Sequence, residues 1–360
     1  MNFSDAELLD LHRLLVETPS LSHEEAPLAD RVAGFLTERG ARVERFGVNV
    51  FATAGNGPRV LLTSHLDTVP PAPGWTRPPH TLSREGTRLY GLGSNDAKAS
   101  VATMVAAFLD VLAHGGPVEC GLLLVPEEET GGKGTEFAWP ALKERGWIPA
   151  GIVVGEPTGL DIAVAQKGML ILELTTEGDA CHSANATALG ARNALRSLAH
   201  DLVAIEAVDL GNEHPLLGRT TLEPTMASAG QRRNMVPGHA QAWLDLRTTP
   251  ACTPAELVRR VQERVQGNVR VHSERLLPCE CDADAAIVRA AQRARPEARL
   301  YGSRTMSDMV FFRDAAVIKC GPGESARSHT ADEFVEESEL LEGARFYRAL
   351  LQVFAAEVRT

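Results

Sequence analysis

Along this chain, short apolar runs that end in charged or glycine-rich segments alternate with stretches of helical period. Leu8, Leu11, Leu14 and Leu15 fall on one helix face behind a Ser4-Asp5-Ala6-Glu7 capping box. This predicts a first helix that stops near Pro19. Ser22 is a candidate cap for a second helix over 26–39, which Gly40 ends. Strands are expected at 42–46, 48–52 and 60–64, a turn at 84–87, and a long helix at 98–114. A buried strand at 121–125, a helix at 136–145 and a strand opening at Gly151 follow. From 168 to 276 the order changes to strand (169–176), helix (189–205), two strands (225–229 and 240–247), helix (254–266) and strand (269–274). That βαββαβ order suits a ferredoxin-like module. The α/β pattern then resumes with a helix at 283–293, a strand at 317–319 and a closing helix at 336–358. The expected organisation is an α/β domain (1–167 and 277–360) interrupted by an inserted α+β domain (168–276), since 360 residues exceed one ordinary core.

The apolar run 121–125 leads straight into Pro126-Glu127-Glu128-Glu129-Thr130-Gly131-Gly132. Three adjacent carboxylates repel one another. At the end of a core strand, where open α/β sheets hold their ligands, they call for protons or metal cations. An acidic surface turn would read the same in isolation. The run 60–64 ends in His65-Leu66-Asp67, and both side chains point to one face of an extended segment. An aspartate there can fix the tautomer of a ligating histidine, or simply bond a strand-end histidine. Asp96, in Gly91-Leu92-Gly93-Ser94-Asn95-Asp96-Ala97-Lys98, opens the long helix, where it suits an N-cap or a ligand. The glycines allow close backbone approach, but no dinucleotide-binding unit follows. Glu156 ends the strand that opens at Gly151, and His329 sits in the glycine-led loop 321–333. Three strands ending in candidate ligands, with Asp96 and His329 beside them, exceed what one acidic turn explains.

A net charge of −11 argues against nucleic acid or an anionic membrane as partner. The six cysteines include no CxxC pair and are read as reduced thiols. Met1-Asn2-Phe3-Ser4 lacks a basic start and an apolar segment, and no run approaches the roughly 18 apolar residues of a membrane span. A cytoplasmic location is expected.

On His65-Leu66-Asp67-Thr68-Val69, the Gly91-to-Lys98 segment, Glu127-Glu128-Glu129-Thr130-Gly131, Gly155-Glu156-Pro157-Thr158 and Ser328-His329-Thr330, the chain resembles the dinuclear zinc deacylases and exopeptidases. That family includes acetylornithine deacetylase, succinyl-diaminopimelate desuccinylase, aminoacylases and glutamate carboxypeptidase. The resemblance spans nearly the whole chain. It implies a zinc-exopeptidase-like catalytic domain, a mixed sheet flanked by helices, with an inserted ferredoxin-like lid and dimerisation domain. It also implies two Zn²⁺ per chain, replaceable by Co²⁺. His65 and Glu156 would hold one ion, Glu129 and His329 the other, with Asp96 bridging. Glu128 would be the general base and Asp67 would orient His65. His182 would reach the partner subunit's site in a homodimer and stabilise the oxyanion. Arg247 and Asn234 would hold the substrate carboxylate, with Ser307 and Gly323 lining the pocket. Two positions depart from the family pattern: Glu127 stands where aspartate is usual, and Cys181 where glycine often precedes the histidine.

The chemistry these residues imply is hydrolysis of a linear amide. Within the family, the 321–333 segment looks most like acetylornithine deacetylases of arginine biosynthesis, acting on a small N-acyl amino acid. The alternatives are acetylcitrulline deacetylase, a lysine- or ornithine-releasing hydrolase of a carrier protein, and a dipeptidase. A non-catalytic relative that kept the fold is the reading from a different class, and it would lack a ligand or the base.

Overall fold

Strand Glu119–Val125 is buried from Cys120 onward, as its unbroken apolar run requires of a strand covered on both faces. It pairs in parallel with strand Arg59–His65, which pairs in parallel with Gly151–Val154, which in turn pairs in parallel with Val317–Lys319. Antiparallel strands Asn49–Gly55 and Val43–Phe46 extend the sheet on one side. Ile162–Gln166 pairs antiparallel on the other, and the mixed sheet has nine strands in all. The computed structural model describes residues 3–358; positions 1, 2, 359 and 360, which the expected end segments include, lie outside the described residues. Helix Lys98–His114 is apolar nearly all round and buried from Lys98 to Leu109, so it sits inside the first unit. It packs on helices Asp5–Val16 and Glu337–Val358 and on the sheet. The Ser4 capping box is formed.

The chain divides into two compact units, the first being Met1–Val164, Glu280–Tyr301 and Ser307–Thr360, the second Ala165–Cys279 and Gly302–Met306. The short return at Gly302–Met306 lies inside the stretch 277–360 that was expected to belong wholly to the α/β domain. In the second unit four antiparallel strands run in the order Thr221–Ala229, His239–Thr248, Gly168–Glu177, Asn268–Leu276. Alternate residues Leu170, Leu172, Leu174, Ala240, Ala242, Leu244 and Leu246 form its core with helices Ala194–Ala204 and Pro254–Arg264.

Local differences from expectation have local causes. The single helix expected over 189–205 is split, because Gly190 takes φ +60° and ends a short helix Ala186–Leu189. The strand expected at 225–229 starts at Thr221. It carries Pro224 on an edge strand, where the register shifts before Met226. The turn expected at 84–87 joins strands Ser83–Glu85 and Arg88–Tyr90, which pair with Phe334–Glu336 in a small separate sheet. Among the described residues no helix is long and apolar enough to cross a membrane.

Candidate metal centre

The carboxyl ends of the parallel strands bring the candidate ligands together, as an open α/β sheet favours. His65 is the last residue of its strand and is 1% exposed. Its Nδ1 lies 3.0 Å from the Asp67 carbonyl oxygen and 3.5 Å from Asp67 Oδ1. A proton on Nδ1 donated there leaves Nε2 free to ligate. Nε2 lies 3.2 Å from Asp96 Oδ1 and 3.9 Å from Glu156 Oε1. Across the site, His329 Nε2 lies 2.9 Å from Glu129 Oε1 and 3.9 Å from Asp96 Oδ2.

Among the described residues, three sets each offer ligand atoms within 4.8 Å of one another: His65, Asp96 and Glu156; Asp96, Glu129 and His329; and His65, Glu128 and Glu129. Asp96 is shared between the first two. A tetrahedral ion with ligands about 2.1 Å away holds them about 3.4 Å apart, so these nitrogen and oxygen sets fit zinc-like divalent cations.

Electrostatics agree. Burial, with Asp96 beside it, pushes Glu156 up to about 8. Burial and Glu156 also raise Glu128 well above the carboxylate range. His329 is pushed up to about 9, chiefly by its bond to Glu129. Burial would lower His65, yet the carboxylates of Asp67 and Asp96 hold it well above its ordinary value. Protons are retained where divalent charge would replace them.

Of the two roles open to Asp96, the N-cap is not taken up: Ala97 occupies the cap of helix Lys98–His114, and the Asp96 carboxylate turns to His65. The peptide bond joining Asp96 to Ala97 is cis. Asp67 does more than face His65. Its Oδ1 accepts from the Glu128 N–H and its Oδ2 from the Glu129 N–H, both at 3.1 Å. The carboxylate thus fixes the backbone of the acidic run as well as the ring.

A family model described as Peptidase family M20/M25/M40 matches residues 61–353. The chain belongs to this family. It is a metal-dependent hydrolase acting on amide or peptide bonds. A probable carboxypeptidase of Aspergillus flavus is 32% identical over 96% of this chain and 86% of its own length. One from Aspergillus terreus is 32% identical over 97% and 87%. In fold, the chain is similar to an M20 family metallo-carboxypeptidase from Sulfolobus solfataricus, with TM-score 0.79 and 18% identity over 97% of this chain and 99% of that one. It is also similar to a dinuclear metal binding peptidase of the M20 family from Bacillus subtilis, with TM-score 0.73 and 15% identity over 97% and 98%.

The remaining predicted residues of this M20 chain fall in different places. In the second unit, strand Cys181–His182 pairs with Met235–Val236, and the Asn234 carbonyl accepts from the Ser183 N–H, so His182 and Asn234 share one small ribbon. His182 is exposed, and its Nδ1 accepts from the Ala184 N–H. The Arg247 guanidinium forms a two-pronged pair with Asp245, at 2.9 and 3.1 Å. In the first unit, Ser307 is buried and caps the short helix Asp308–Phe312. Gly323 has φ +84°, and a Cβ there would stand 2.2 Å from Asn95 Oδ1, so the position tolerates no side chain. Glu127 has φ 60°, a conformation that aspartate adopts more readily than glutamate. It is in none of the ligand sets and faces His23 Nδ1 at 3.4 Å.

Sequence reasoning missed three supporting residues. The Ser22 hydroxyl donates to Asp67 at 2.8 Å rather than capping the second helix, whose N-cap is Glu25. Glu25 Oε1 accepts from the N–H groups of His23 and Glu127. Glu333 is buried behind Asp96. A buried acid in a loop, as Glu25 and Glu333 are, leaves no periodic signal.

Proposed function

We propose that this M20 hydrolase releases an amino acid from a small amide, using two zinc ions held by His65, Asp96, Glu129, Glu156 and His329. The observation that carries the reading is the pair of ligand sets that share Asp96, with Glu128 set against both. Bound cations supply Lewis-acid polarisation of the scissile carbonyl and acidify water. Glu128, whose proton affinity is raised by burial and by Glu156, takes the proton of the attacking water and returns it to the leaving amine. Asp67 holds His65 and the Glu128 N–H in register. His182 is the proposed donor to the oxyanion. Homodimerisation through the second unit belongs to the same reading. Cobalt substitutes for zinc on ligand chemistry alone.

The substrate proposed from the sequence is an N-acyl amino acid such as N-acetylornithine, in arginine biosynthesis. The relatives named probable carboxypeptidases favour a second substrate, a short peptide losing its C-terminal residue. Both carry a free carboxylate beside the cleaved amide. Asp245 takes two of the five Arg247 N–H donors, so a substrate carboxylate would meet the guanidinium through those that remain. The test is hydrolysis of N-acetylornithine, N-acetylcitrulline, N-succinyl-diaminopimelate, N-acetylmethionine and a set of dipeptides by zinc-loaded protein, beside Glu128→Ala. Cleavage of one class that vanishes in the variant supports the reading. Cleavage that survives in Glu128→Ala removes Glu128 from the mechanism. Cleavage of dipeptides alone replaces the deacetylase reading with the peptidase one.

A further inference from the structure

Glu333 is 2% exposed and belongs to none of the ligand sets, yet it gathers the backbone of the segment that carries Asp96. Its Oε1 accepts from the N–H groups of Asn95 at 3.0 Å and Asp96 at 2.8 Å. Its Oε2 accepts from Gly93 N–H at 2.9 Å, and its backbone carbonyl accepts from Gly91 N–H at 3.0 Å. Four donors of one glycine-rich turn therefore converge on a single residue. The carboxylate is buried but hydrogen-bonded on both oxygens, which is what such a group needs to stay in place.

Glu333 is also four residues beyond His329, at the entry to strand Phe334–Glu336, which pairs with Arg88–Tyr90. A second tether runs the opposite way. Asn95 Oδ1 accepts from Glu324 N–H at 2.9 Å, and Asn95 Nδ2 donates to the Glu324 carbonyl at 3.1 Å. The loop bearing His329 is thus fastened at both ends to the turn bearing Asp96. His65, by contrast, ends a buried sheet strand, and Glu156 stands two residues past another. His329 is half exposed and sits at φ 61°.

We infer that Glu333 is a positioning residue that sets the spacing between Asp96 and His329, and so the affinity for the second of two metal ions, held by Asp96, Glu129 and His329. The inference rests on the dinuclear reading above. Glu333 touches neither substrate nor ion; it acts through the turn it holds. Glu333→Gln keeps the shape but opposes an amide NH₂ to a backbone N–H where an acceptor stood. Glu333→Asp keeps the charge with a shorter reach.

The experiment is calorimetric titration of chelator-stripped wild type, Glu333→Gln and Glu333→Asp with Zn²⁺, paralleled by Co²⁺ absorption spectra, with circular dichroism to establish folding. Wild type takes up about two ions. The expected result for Glu333→Gln is a second ion bound about 10–100-fold more weakly, with the first ion, which shares Asp96 but is also held by the strand-end His65 and Glu156, weakened clearly less. Glu333→Asp falls between, and serves as the deciding variant if Glu333→Gln does not fold. Two unchanged affinities in a folded variant, or both weakened alike, overturn the inference. Wild type that binds no divalent ion defeats the metal-centre reading itself, and this inference with it.

Discussion

The two units of this chain use their sheets in opposite ways. In the first, four parallel strands are buried on both faces, and their carboxyl ends and the segments beyond them carry His65, Glu128, Glu129, Glu156 and His329. In the second, antiparallel strands bury alternate residues against two helices and leave the other face half exposed. Parallel strands all end on one side, so their following residues converge; antiparallel strands send theirs to both ends. Charge that would be costly in a core is therefore gathered at one sheet edge of the first unit, where cations can offset it.

This contrast can be broken or sharpened by substitution. The largest effect is expected at Glu128: Glu128→Ala should lower kcat by about 10²–10⁴-fold with metal content intact, read by steady-state kinetics beside elemental analysis. Next, Leu172→Ala, in the core of the second unit, should cost about 2–5 kcal/mol of stability in denaturant melts and leave metal stoichiometry unchanged. Loss of metal in that variant would show that the two units are not independent in this respect. Asp67→Asn should weaken metal binding by about 10–100-fold in chelator competition, because the amide cannot accept the Glu128 and Glu129 N–H bonds on both of its arms.

The smallest effect expected from a single group is the contribution of His329 to pH dependence, because its side chain is half exposed and screened by water. Both relevant shifts are upward. Stability from His329 is complete below its ordinary 6.5 and is lost as pH rises through about 9. Glu156 costs stability increasingly as pH rises from its ordinary 4.5 toward about 8. In both cases the folded state holds more protons, so the melting temperature of chelator-stripped protein should fall across this range. Zinc-loaded protein should show a shallower slope, since the ions replace those protons. Equal slopes would mean that these groups do not exchange protons for metal.

Much of this was legible in the sequence because it rests on short-range pattern. A strand at 169–176 and a long helix at 98–114 were expected, and they form as Gly168–Glu177 and Lys98–His114. The candidate ligands could be picked out because strand ends and turn glycines flank them. What was hidden depends on segments far apart in sequence. Nothing near Ser22 indicates that its hydroxyl meets Asp67, 45 residues on. Nor does anything near Glu333 indicate that its carboxylate holds a turn 237 residues earlier. The Asp245 partner of Arg247 was two residues away, but that the two side chains pair depends on side-chain geometry that strand pattern does not encode.

The most direct test of the account is elemental analysis of purified wild-type protein beside His65→Ala and His329→Ala. The account predicts about two divalent ions per chain in wild type and a loss in each variant. Wild type without bound divalent metal, or both variants retaining the full complement, would contradict the claim that the strand-end cluster is a dinuclear centre.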